Sequence, residues 1–310
     1  MKLAIGFRSG WRVALTSVVM LTVFRLFSGG TAQATLSVLV DNGGTSFNIT
    51  EYDFNTGTYL GLFTTYSMQR PLGMTADSTG NVYVADIGAN TIEKFAPNGT
   101  HLATFTSPNL SDNEGMVVYN GILYSASYNT GNICTFSLSG SNLGVFATVD
   151  SSGLQGMVAD ASGNLYVADY NGASYGHTIQ KVATNGTVTT FASVPNPIGM
   201  AIDSSGNIYA SDPIYGHTIN KISPAGTSLG SIVSSVFDYY MTMGSNDTIY
   251  APLTTANTIE KYSSSGTDLG AFTTTGLDSP GAVLIIPEPS TALLLGAGAA
   301  ALVLLRRRKH

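Results

Sequence analysis

Cysteine and charge are both scarce in this 310-residue chain. The single cysteine, Cys134, cannot form a disulfide within the chain, and its place beside Ile133 predicts a small buried residue rather than a reactive thiol. Charged residues make up 10% of the chain, against 44% hydrophobic ones. This composition excludes a fold that depends on disulfide bonds, and it favours a large compact domain with an uncharged polar surface.

Basic residues are especially rare in the central part of the chain. Thirteen Lys and Arg residues less the eight in the two terminal segments leave five between Thr35 and Ile286, and nineteen acidic residues less Glu288 leave eighteen. The net charge of this part is therefore −13. Such a domain repels phosphate backbones, which argues against nucleic acid as a partner.

Helical patterns are also rare between residues 35 and 287, and a repeat takes their place. The stretch Pro71–Phe105 reads as four short strands, at 73–76, 81–85, 91–95 and 100–105, joined by turns. Copies follow at steps of 41 to 43 residues, the period of a β-propeller blade. The residue that opens the first strand marks this period: Gly73, Gly115, Gly156, Gly199, Tyr240 and Gly281.

The two ends of the repeat region complement each other. The segment Leu36–Phe63 has the last three strands of a blade, and residues 277–286 supply only a first strand. Together they make a sixth blade, which closes the ring and removes open sheet edges. The sequence therefore predicts an all-β, six-bladed β-propeller of four-stranded antiparallel blades over residues 35–286. It also predicts that Ala282–Ile286 lies alongside Leu36–Val40.

Residues 1–34 have the layout of a secretory signal peptide. Basic residues precede the apolar stretch Val13–Phe24, and Ala32 and Ala34 form a small-residue cleavage site. Arg25 lies between the apolar stretch and this site, and it makes the last region long. A retained N-terminal anchor is the alternative, although the apolar stretch is shorter than the ~20 residues that a span needs.

Residues 287–310 form a tripartite tail that resembles the PEP-CTERM sorting signal. Pro287, Glu288 and Pro289 precede the apolar stretch Thr291–Leu305, and a basic cluster follows. The resemblance implies export, recognition by an exosortase during a transient inner-membrane association through a short transmembrane helix, and delivery to the cell surface or an extracellular polysaccharide matrix. A permanent single-pass anchor is the alternative, but fifteen helical residues at ~1.5 Å each make a short span.

Several repeated residues are predicted to be structural. Asp-x-x-Gly-Asn turns link the first and second strands, where an Asp accepts backbone hydrogen bonds and Gly takes a positive φ. A methionine follows the first-strand marker and is predicted to fill the core, and a lysine follows the third-strand Ile, with its ammonium expected in water. These residues are Asp77, Asp160 and Asp203; Met74, Met116, Met157, Met200 and Met241; Lys94, Lys181, Lys221 and Lys261.

A second set of aspartates, Asp41, Asp86, Asp169 and Asp212, follows the second strands. Their loops share a face of the ring with the connections between blades, which carry Arg70, Asn113, Glu114 and Gln155. Each Asp either caps its own loop or turns toward the channel mouth, where carboxylates hold a cation such as Ca²⁺ or Mg²⁺. The candidate metal ligands are Glu114, Asp169 and Asp212.

Two neighbouring loops break the repeat by insertion. Both end in Tyr-Gly-His-Thr-Ile, which places Tyr175 with His177 and Tyr215 with His217. The histidines occupy the position of Asn90 and Asn257 in other blades, which predicts a turn-capping role. The alternative is a Tyr/His-lined rim that stacks against a sugar or a peptide.

The blade pattern Pro-x-Gly-Met-x-x-Asp-x-x-Gly-Asn-x-Tyr-x-x-Asp, followed by Asn-Thr-Ile-x-Lys, resembles NHL repeats over residues 35–286. The resemblance implies a six-bladed propeller that is often used for binding. Similar blades occur in streptogramin lyase, which uses His, Glu and Mg²⁺, and in the gluconolactonase group, which uses Glu, Asn and Asp around a metal. Here those types are represented by Glu114, His177 and His217, or by Glu114, Asp169 and Asp212.

These observations favour an exported, non-catalytic surface or matrix propeller without a cofactor, which binds a glycan, a protein or a cation through its loop face. The alternative is a metal-dependent lactonase or lyase of the same fold, and a further one is a membrane-anchored propeller. The candidate binding residues are Asp86, Glu114, Asp169, Tyr175, His177, Asp212, Tyr215 and His217.

Overall fold

A computed structural model describes residues 36–149, 152–171, 177–214, 216–233 and 239–287, which contain 24 strands. The strands form six four-stranded sheets in which all pairings are antiparallel. Five sheets use consecutive strands, and the sixth combines three N-terminal strands with the last strand of the ring. The predicted six-bladed β-propeller is confirmed.

The chain opens with β1 (Leu36–Asn42), β2 (Asn48–Asp53) and β3 (Tyr59–Leu62), which belong to blade 6. Blade 1 is β4 (Pro71–Ala76), β5 (Val82–Asp86), β6 (Thr91–Phe95) and β7 (His101–Phe105). Blade 2 is β8 (Asn113–Tyr119), β9 (Ile122–Ser127), β10 (Asn132–Ser137) and β11 (Asn142–Thr148). Blade 3 is β12 (Leu154–Ala159), β13 (Leu165–Asp169), β14 (Thr178–Val182) and β15 (Val188–Ser193).

Blade 4 is β16 (Met200–Ile202), β17 (Ile208–Asp212), β18 (Thr218–Ile222) and β19 (Ser228–Val233). Blade 5 is β20 (Thr242–Met243), β21 (Ile249–Leu253), β22 (Thr258–Tyr262) and β23 (Asp268–Thr273), with 3-10 turns at Ser245–Asp247 and Thr254–Ala256. The last strand, β24 (Pro280–Pro287), completes blade 6. We call the edge of the ring where the first strands begin the loop face, and the opposite edge the turn face.

The ring closes between its two ends, as predicted. Strand β24 pairs antiparallel with β1, and Val283 lies opposite Val40 while Ile286 lies opposite Ser37. Pro287, the first residue of the tail motif, is the last residue of β24 and pairs with Leu36. The closing strand therefore extends one residue further than the sequence predicts.

Apolar side chains fill the space between each pair of neighbouring blades. Among the described residues seven buried clusters occur, and six of them lie one at each interface, with members from both of the blades that meet there. Cys134 lies in the cluster between blades 1 and 2, where burial raises the pKa of its thiol. Four of the five repeat methionines are cluster members and Met74 packs against a cluster, so the predicted core-filling role is confirmed.

The glycines that open the first strands allow these strands to approach each other around the ring axis. A Cβ atom on Gly73 would lie 1.8 Å from the Glu114 carbonyl oxygen, and one on Gly199 would lie 1.7 Å from that of Tyr239. Neither carbonyl can move without breaking the neighbouring blade, so only glycine fits at these positions. Glycine is thus required where the next inner strand approaches this closely, which is not the case at Tyr240 or Gly281.

The Asp-x-x-Gly-Asn turns lie on the turn face and are structural, as predicted. Asp203 Oδ1 accepts backbone hydrogen bonds from Ser205 and Asn207, and its Oδ2 accepts one from the Tyr209 hydroxyl at 3.0 Å. Equivalent bonds join Asp77 to Tyr83 and Asp160 to Tyr166. These turns therefore fix the edge of blades 1, 3 and 4.

Two of the repeat lysines make contacts between blades that the sequence does not predict. Lys94 Nζ lies over the Tyr83 ring, 5.4 Å from its centroid, and donates a hydrogen bond to the Leu138 carbonyl of blade 2 at 2.7 Å. Lys221 makes equivalent contacts with Tyr209 and with the Ser264 carbonyl of blade 5. These two lysines therefore join neighbouring blades.

Candidate functional site

A cavity of about 250 Å³ opens at the centre of the loop face. Every blade contributes to its wall, because the inner strands and the connections that lead into them all meet the ring axis here. We call this cavity the mouth. Its lining residues are Gly43, Arg70, Pro71, Leu72, Glu114, Gln155, Ile198, Tyr239, Thr254, Ser279 and Gly281.

A second cavity of about 290 Å³ lies along the axis on the turn-face side of the mouth. It is lined by the inner strands of all six blades, and the repeat methionines contribute to its wall. Glu114 lines both cavities, and Tyr240 lines the second one. These two side chains therefore mark the boundary between the two cavities.

Tyr240 is the one position where the column of first-strand glycines is interrupted. Its backbone bridges to Ala282 of blade 6, and its side chain is buried among Ile198 and Ala282. The Tyr240 hydroxyl lies 2.7 Å from Glu114 Oε2 and 2.7 Å from Gln155 Oε1. A blade 5 side chain thus crosses the axis to join blades 2 and 3.

The electrostatics of this contact are dominated by burial. Desolvation raises the pKa of Glu114 to about 7, and nearby Asp112 adds to the shift, while the Tyr240 hydrogen bond and Arg70 oppose it. Desolvation and the neighbouring Glu114 raise the pKa of Tyr240 well above its usual value. Glu114 therefore changes its protonation state near neutral pH, and Tyr240 stays protonated there.

The aspartates that follow the second strands do not converge on the mouth as a group. Asp86 accepts backbone hydrogen bonds from Gln69 and Arg70, both at 2.8 Å. Asp212 accepts backbone hydrogen bonds from Ile214 and Gly216 of its own loop. Asp169 Oδ2 accepts a hydrogen bond from the side-chain amide of Gln180 at 3.2 Å. Asp212 thus caps its own loop, as the loop-capping interpretation predicts, whereas Asp86 holds the connection that leads into β4.

Asp41 differs from its repeat counterparts. The side chain is fully buried, and neither carboxylate oxygen has a hydrogen-bond partner. Burial raises the pKa of Asp41 well above its usual range. Its Oδ2 lies behind the mouth wall, 2.9 Å from the place that a Cβ on Gly281 would occupy. Burial therefore favours the neutral form of this carboxyl.

The structure does not bring Glu114, Asp169 and Asp212 together. Across the described ranges, no three His, Cys, Asp or Glu side chains lie close enough to share a metal ion. Glu114, Asp169 and Asp212 therefore do not form a shared ligand set for a calcium or magnesium ion.

The loop histidines lie where the turn needs a left-handed residue. The φ angles of His177 and His217 are 41° and 46°, and those of Asn90 and Asn257 are 56° and 50°. Asn90 and Asn257 accept backbone hydrogen bonds from the next connection, at Asp112 and Ser279. His and Asn thus occupy the same repeat position because the backbone there has a positive φ. Tyr175 and Tyr215 lie outside the described residues.

The sequence did not identify two residues of the site in their roles. Gln155 was visible only as part of a connection, and Tyr240 only as an exception among glycines. That exception was the available signal, because a bulky residue at a position that otherwise excludes a Cβ must send its side chain into the channel. Its partners Glu114 and Gln155 lie 126 and 85 residues away.

The two terminal segments fall mostly outside the described residues. Of the tail motif only Pro287 is described, and Glu288, Pro289 and the cleavage residues Ala32 and Ala34 are not. The described part of the chain contains no helix of the length and hydropathy that a membrane crossing requires.

Comparisons with known proteins agree with this architecture. Residues 286–309 match the model of the PEP-CTERM protein-sorting motif, and no curated protein matches the chain. A chain of a nidogen/laminin complex is similar in structure, with a TM-score of 0.71 at 17% identity, covering 81% of this chain and 98% of that one.

Two lyase structures are also similar. A streptogramin B lyase has a TM-score of 0.61 at 15% identity, covering 84% of this chain and 97% of its own. A catalytically inactive virginiamycin B lyase from Staphylococcus aureus, solved with quinupristin, has a TM-score of 0.59 at 14% identity, covering 84% and 94%. At these identities the likeness shows the fold alone. The chain therefore carries a six-bladed β-propeller followed by a C-terminal PEP-CTERM sorting motif.

Proposed function

We propose that this chain is an exported, non-catalytic propeller that displays its mouth at the cell surface or in an extracellular matrix and binds a glycan there. The observation that carries the proposal is the mouth itself, a single cavity to which all six blades contribute. Concave sites with a few polar groups on apolar walls are the usual form of ligand sites.

The sorting motif supports the export part of this proposal. A PEP-CTERM motif is a substrate tag for exosortase processing, so the chain is sorted for export through its C-terminal tail. Delivery to the surface or to an extracellular polysaccharide then brings the propeller next to glycans. The location that the sorting motif implies is therefore consistent with a glycan as the ligand.

The chemistry of the mouth favours a glycan over the other candidate ligands. Tyr239, Leu72 and Ile198 supply aromatic and apolar wall, while Arg70, Glu114 and Gln155 supply hydrogen-bonding groups. Sugars need this combination, because their ring faces pack on apolar side chains and their hydroxyls need polar partners. Against a metal cation, no three His, Cys, Asp or Glu side chains of the described residues lie close enough to share one.

The test uses a fragment of residues 35–287, which holds every strand of the ring as one compact unit. Cellotriose, maltotriose and trigalacturonic acid are titrated calorimetrically into the fragment and into Gly43→Trp. A Cβ on Gly43 meets only the Ser279 carbonyl, at 3.6 Å, so the larger residue fills the mouth without a backbone clash. The control is Ser78→Trp, an exposed position on the turn face.

We expect at least one trisaccharide to bind, Gly43→Trp to weaken binding by about tenfold or more, and Ser78→Trp to have no effect. Absence of binding by all three sugars, or equal binding by the two variants, would contradict the proposal.

An enzyme is the second candidate, and one observation favours it. A buried carboxyl with a pKa near 7, hydrogen-bonded to a tyrosine in a cavity, is a suitable general acid or base. The metal-dependent form lacks its ligands in the described residues. Turnover of a lactone or a streptogramin by the fragment, and its loss in Glu114→Gln, would establish this candidate in place of the binding one.

A further inference from the structure

We infer that the mouth selects a glycan that carries a carboxylate, a uronic acid residue, and that Arg70 is the group that recognises the carboxylate. The inference rests on the proposed glycan-binding function and names the ligand class. Three features of the structure lead to it: the position of Arg70, the proton count around Tyr240, and the shape of the wall.

Arg70 is the single arginine among the described residues, and it is exposed at the mouth. Its guanidinium forms no ion pair with any carboxylate in the described part of the chain. The backbone of Arg70 is held in place, because Asp86 accepts hydrogen bonds from the backbone amides of Gln69 and Arg70. A guanidinium on a fixed backbone matches the planar, two-oxygen geometry of a carboxylate.

The contacts around Tyr240 accommodate a neutral Glu114, which would not repel an anion. The Tyr240 oxygen lies 2.7 Å from two acceptor oxygens, Glu114 Oε2 and Gln155 Oε1. A phenol has one proton to donate, so it satisfies one of these contacts, and the second contact needs another proton. A protonated Glu114 supplies it by donating to the phenol oxygen while the phenol donates to Gln155. Both contacts are then hydrogen bonds.

In this arrangement the mouth presents hydrogen-bond donors to a ligand. Arg70 carries its charge, Glu114 is neutral, and the amide nitrogen of Gln155 is left to donate to a ligand. When Glu114 loses its proton, the phenol donates to the new carboxylate, and the Gln155 amide has to turn its nitrogen toward the phenol. The mouth then gains a negative charge and loses a donor, so an anionic ligand binds less well at higher pH.

The other charged or titratable groups around Glu114 act in known directions. Asp112, on the connection before β8, disfavours ionisation of Glu114, and Arg70 of blade 1 favours it. Tyr240 and Tyr239 approach from blade 5, and Asp41 lies buried in blade 6. The net charge of the ring repels anions at long range, but at 0.15 M salt this repulsion is screened beyond about 8 Å.

The wall indicates a sugar acid rather than a bare carboxylate. Leu72 and Ile198 provide apolar surface, and Tyr239 provides an aromatic ring, beside Arg70 in the same cavity. A uronate fits this combination, since its pyranose ring has an apolar face and its carboxylate projects from the edge of the ring.

The experiment compares trigalacturonic acid with its methyl ester, which has the same shape without the charge. Both are titrated into the 35–287 fragment at pH 6 and pH 8, at 0.15 M salt. We expect the acid to bind about tenfold tighter than the ester at pH 6, as for one charge-assisted pair, and this ratio to fall at pH 8. Arg70→Gln should abolish the ratio, so that the acid and the ester bind equally at both pH values.

Two further variants sharpen the test. Glu114→Gln should keep the low-pH preference at pH 8, because its amide cannot ionise. Lys261→Gln removes a positive charge near the turn-face end of β22 and should leave the ratio unchanged. This control separates recognition by Arg70 from a general change in net charge.

The outcomes separate this inference from the proposed function. Equal binding of acid and ester, with Gly43→Trp weakening both, overturns the carboxylate inference and leaves the glycan site in place. Absence of binding by either sugar and by the neutral trisaccharides overturns both. A tri-aspartate peptide that binds as tightly as the trisaccharide overturns the sugar part of the inference.

Discussion

The turn face and the loop face of the ring are built on different principles. On the turn face, blades 1, 3 and 4 repeat one arrangement, in which an Asp accepts a hydrogen bond from a Tyr whose ring lies under a Lys. On the loop face, each blade places a different side chain at the axis. The comparison teaches that residues which obey the repeat build the ring, and residues which depart from it build the site.

The largest effect on stability is expected from a substitution of one of the repeated glycines that open the first strands around the ring axis. Gly199→Ala places a Cβ 1.7 Å from a backbone carbonyl, so we expect a loss of more than about 4 kcal/mol in the free energy of unfolding, or no folded protein. Gly43→Ala is the matched control, with its nearest atom at 3.6 Å and little expected change. Urea unfolding measures both, and equal stability of the two variants would contradict the packing argument.

The second effect tests the closing strand. Ile286 is 1% exposed and packs in the cluster between blades 6 and 1, so Ile286→Ala should cost about 3 kcal/mol in unfolding free energy. Leu269→Ala, at an outer-strand position that is 49% exposed, should change it by less than about 0.5 kcal/mol. A small effect at Ile286 would show that the closing strand β24 contributes little to stability.

The third prediction concerns Glu114 on the loop face. Its pKa of about 7 in the folded protein exceeds the unfolded value of about 4.3, so its contribution to stability is complete below pH 4 and falls as the pH rises to about 7. Glu114→Gln removes this loss. We expect the variant to gain roughly 3–4 kcal/mol on the parent between pH 4 and pH 8. Parallel pH profiles of urea unfolding would contradict the raised pKa.

The fourth prediction applies the same reasoning to the turn face, with the opposite sign. Burial acts to raise the pKa of Asp203, but hydrogen bonds from Asn207, Tyr209 and the backbone outweigh it, so the folded-state pKa is lowered. The stability that Asp203 contributes is therefore present above pH 4 and is lost as the pH falls below that.

Tyr209→Phe tests this contact, because it removes the hydroxyl that bonds Asp203 and the Ser264 carbonyl. We expect a cost of about 1 kcal/mol at pH 7 and a weaker dependence on acid. Tyr250→Phe is the matched control, as Tyr250 lies in the equivalent strand of blade 5, which has no such turn.

The smallest effect is expected at the loop histidines. His217→Asn keeps a residue that tolerates a positive φ, so the change in unfolding free energy should stay below about 0.5 kcal/mol. His217→Val should cost about 1 kcal/mol or more, because a β-branched residue is strained there. If His217→Asn abolished glycan binding instead, the histidine would belong to the site and not only to the turn.

The ring could be predicted from the sequence because its constraints recur. The same local geometry recurs at Gly73 and its counterparts, at the Asp77-type turns and at the Tyr83-type aromatics. The two incomplete end segments show where the ring closes. The hydrogen bond from the Lys94 ammonium to a carbonyl of the next blade was not predicted, because its partner belongs to another repeat.

The site could be predicted only in part. Glu114 was recognised as a candidate, but its contact with Tyr240 depends on residues from opposite sides of the ring, and no local pattern encodes a meeting across the axis. Asp169 and Asp212 were grouped with Glu114 because they share a face. Side chains on the same face of the ring can still lie far from one another, and in the structure these three do not lie close enough to share a metal ion.

Strand β24 begins at the mouth with Pro280 and finishes at the turn face with Pro287, beside Leu36. The chain thus enters and leaves the ring at neighbouring points on the same side, behind the cavity. The sorting motif therefore continues from the turn-face edge of blade 6, at the edge of the ring opposite to the one where the mouth opens.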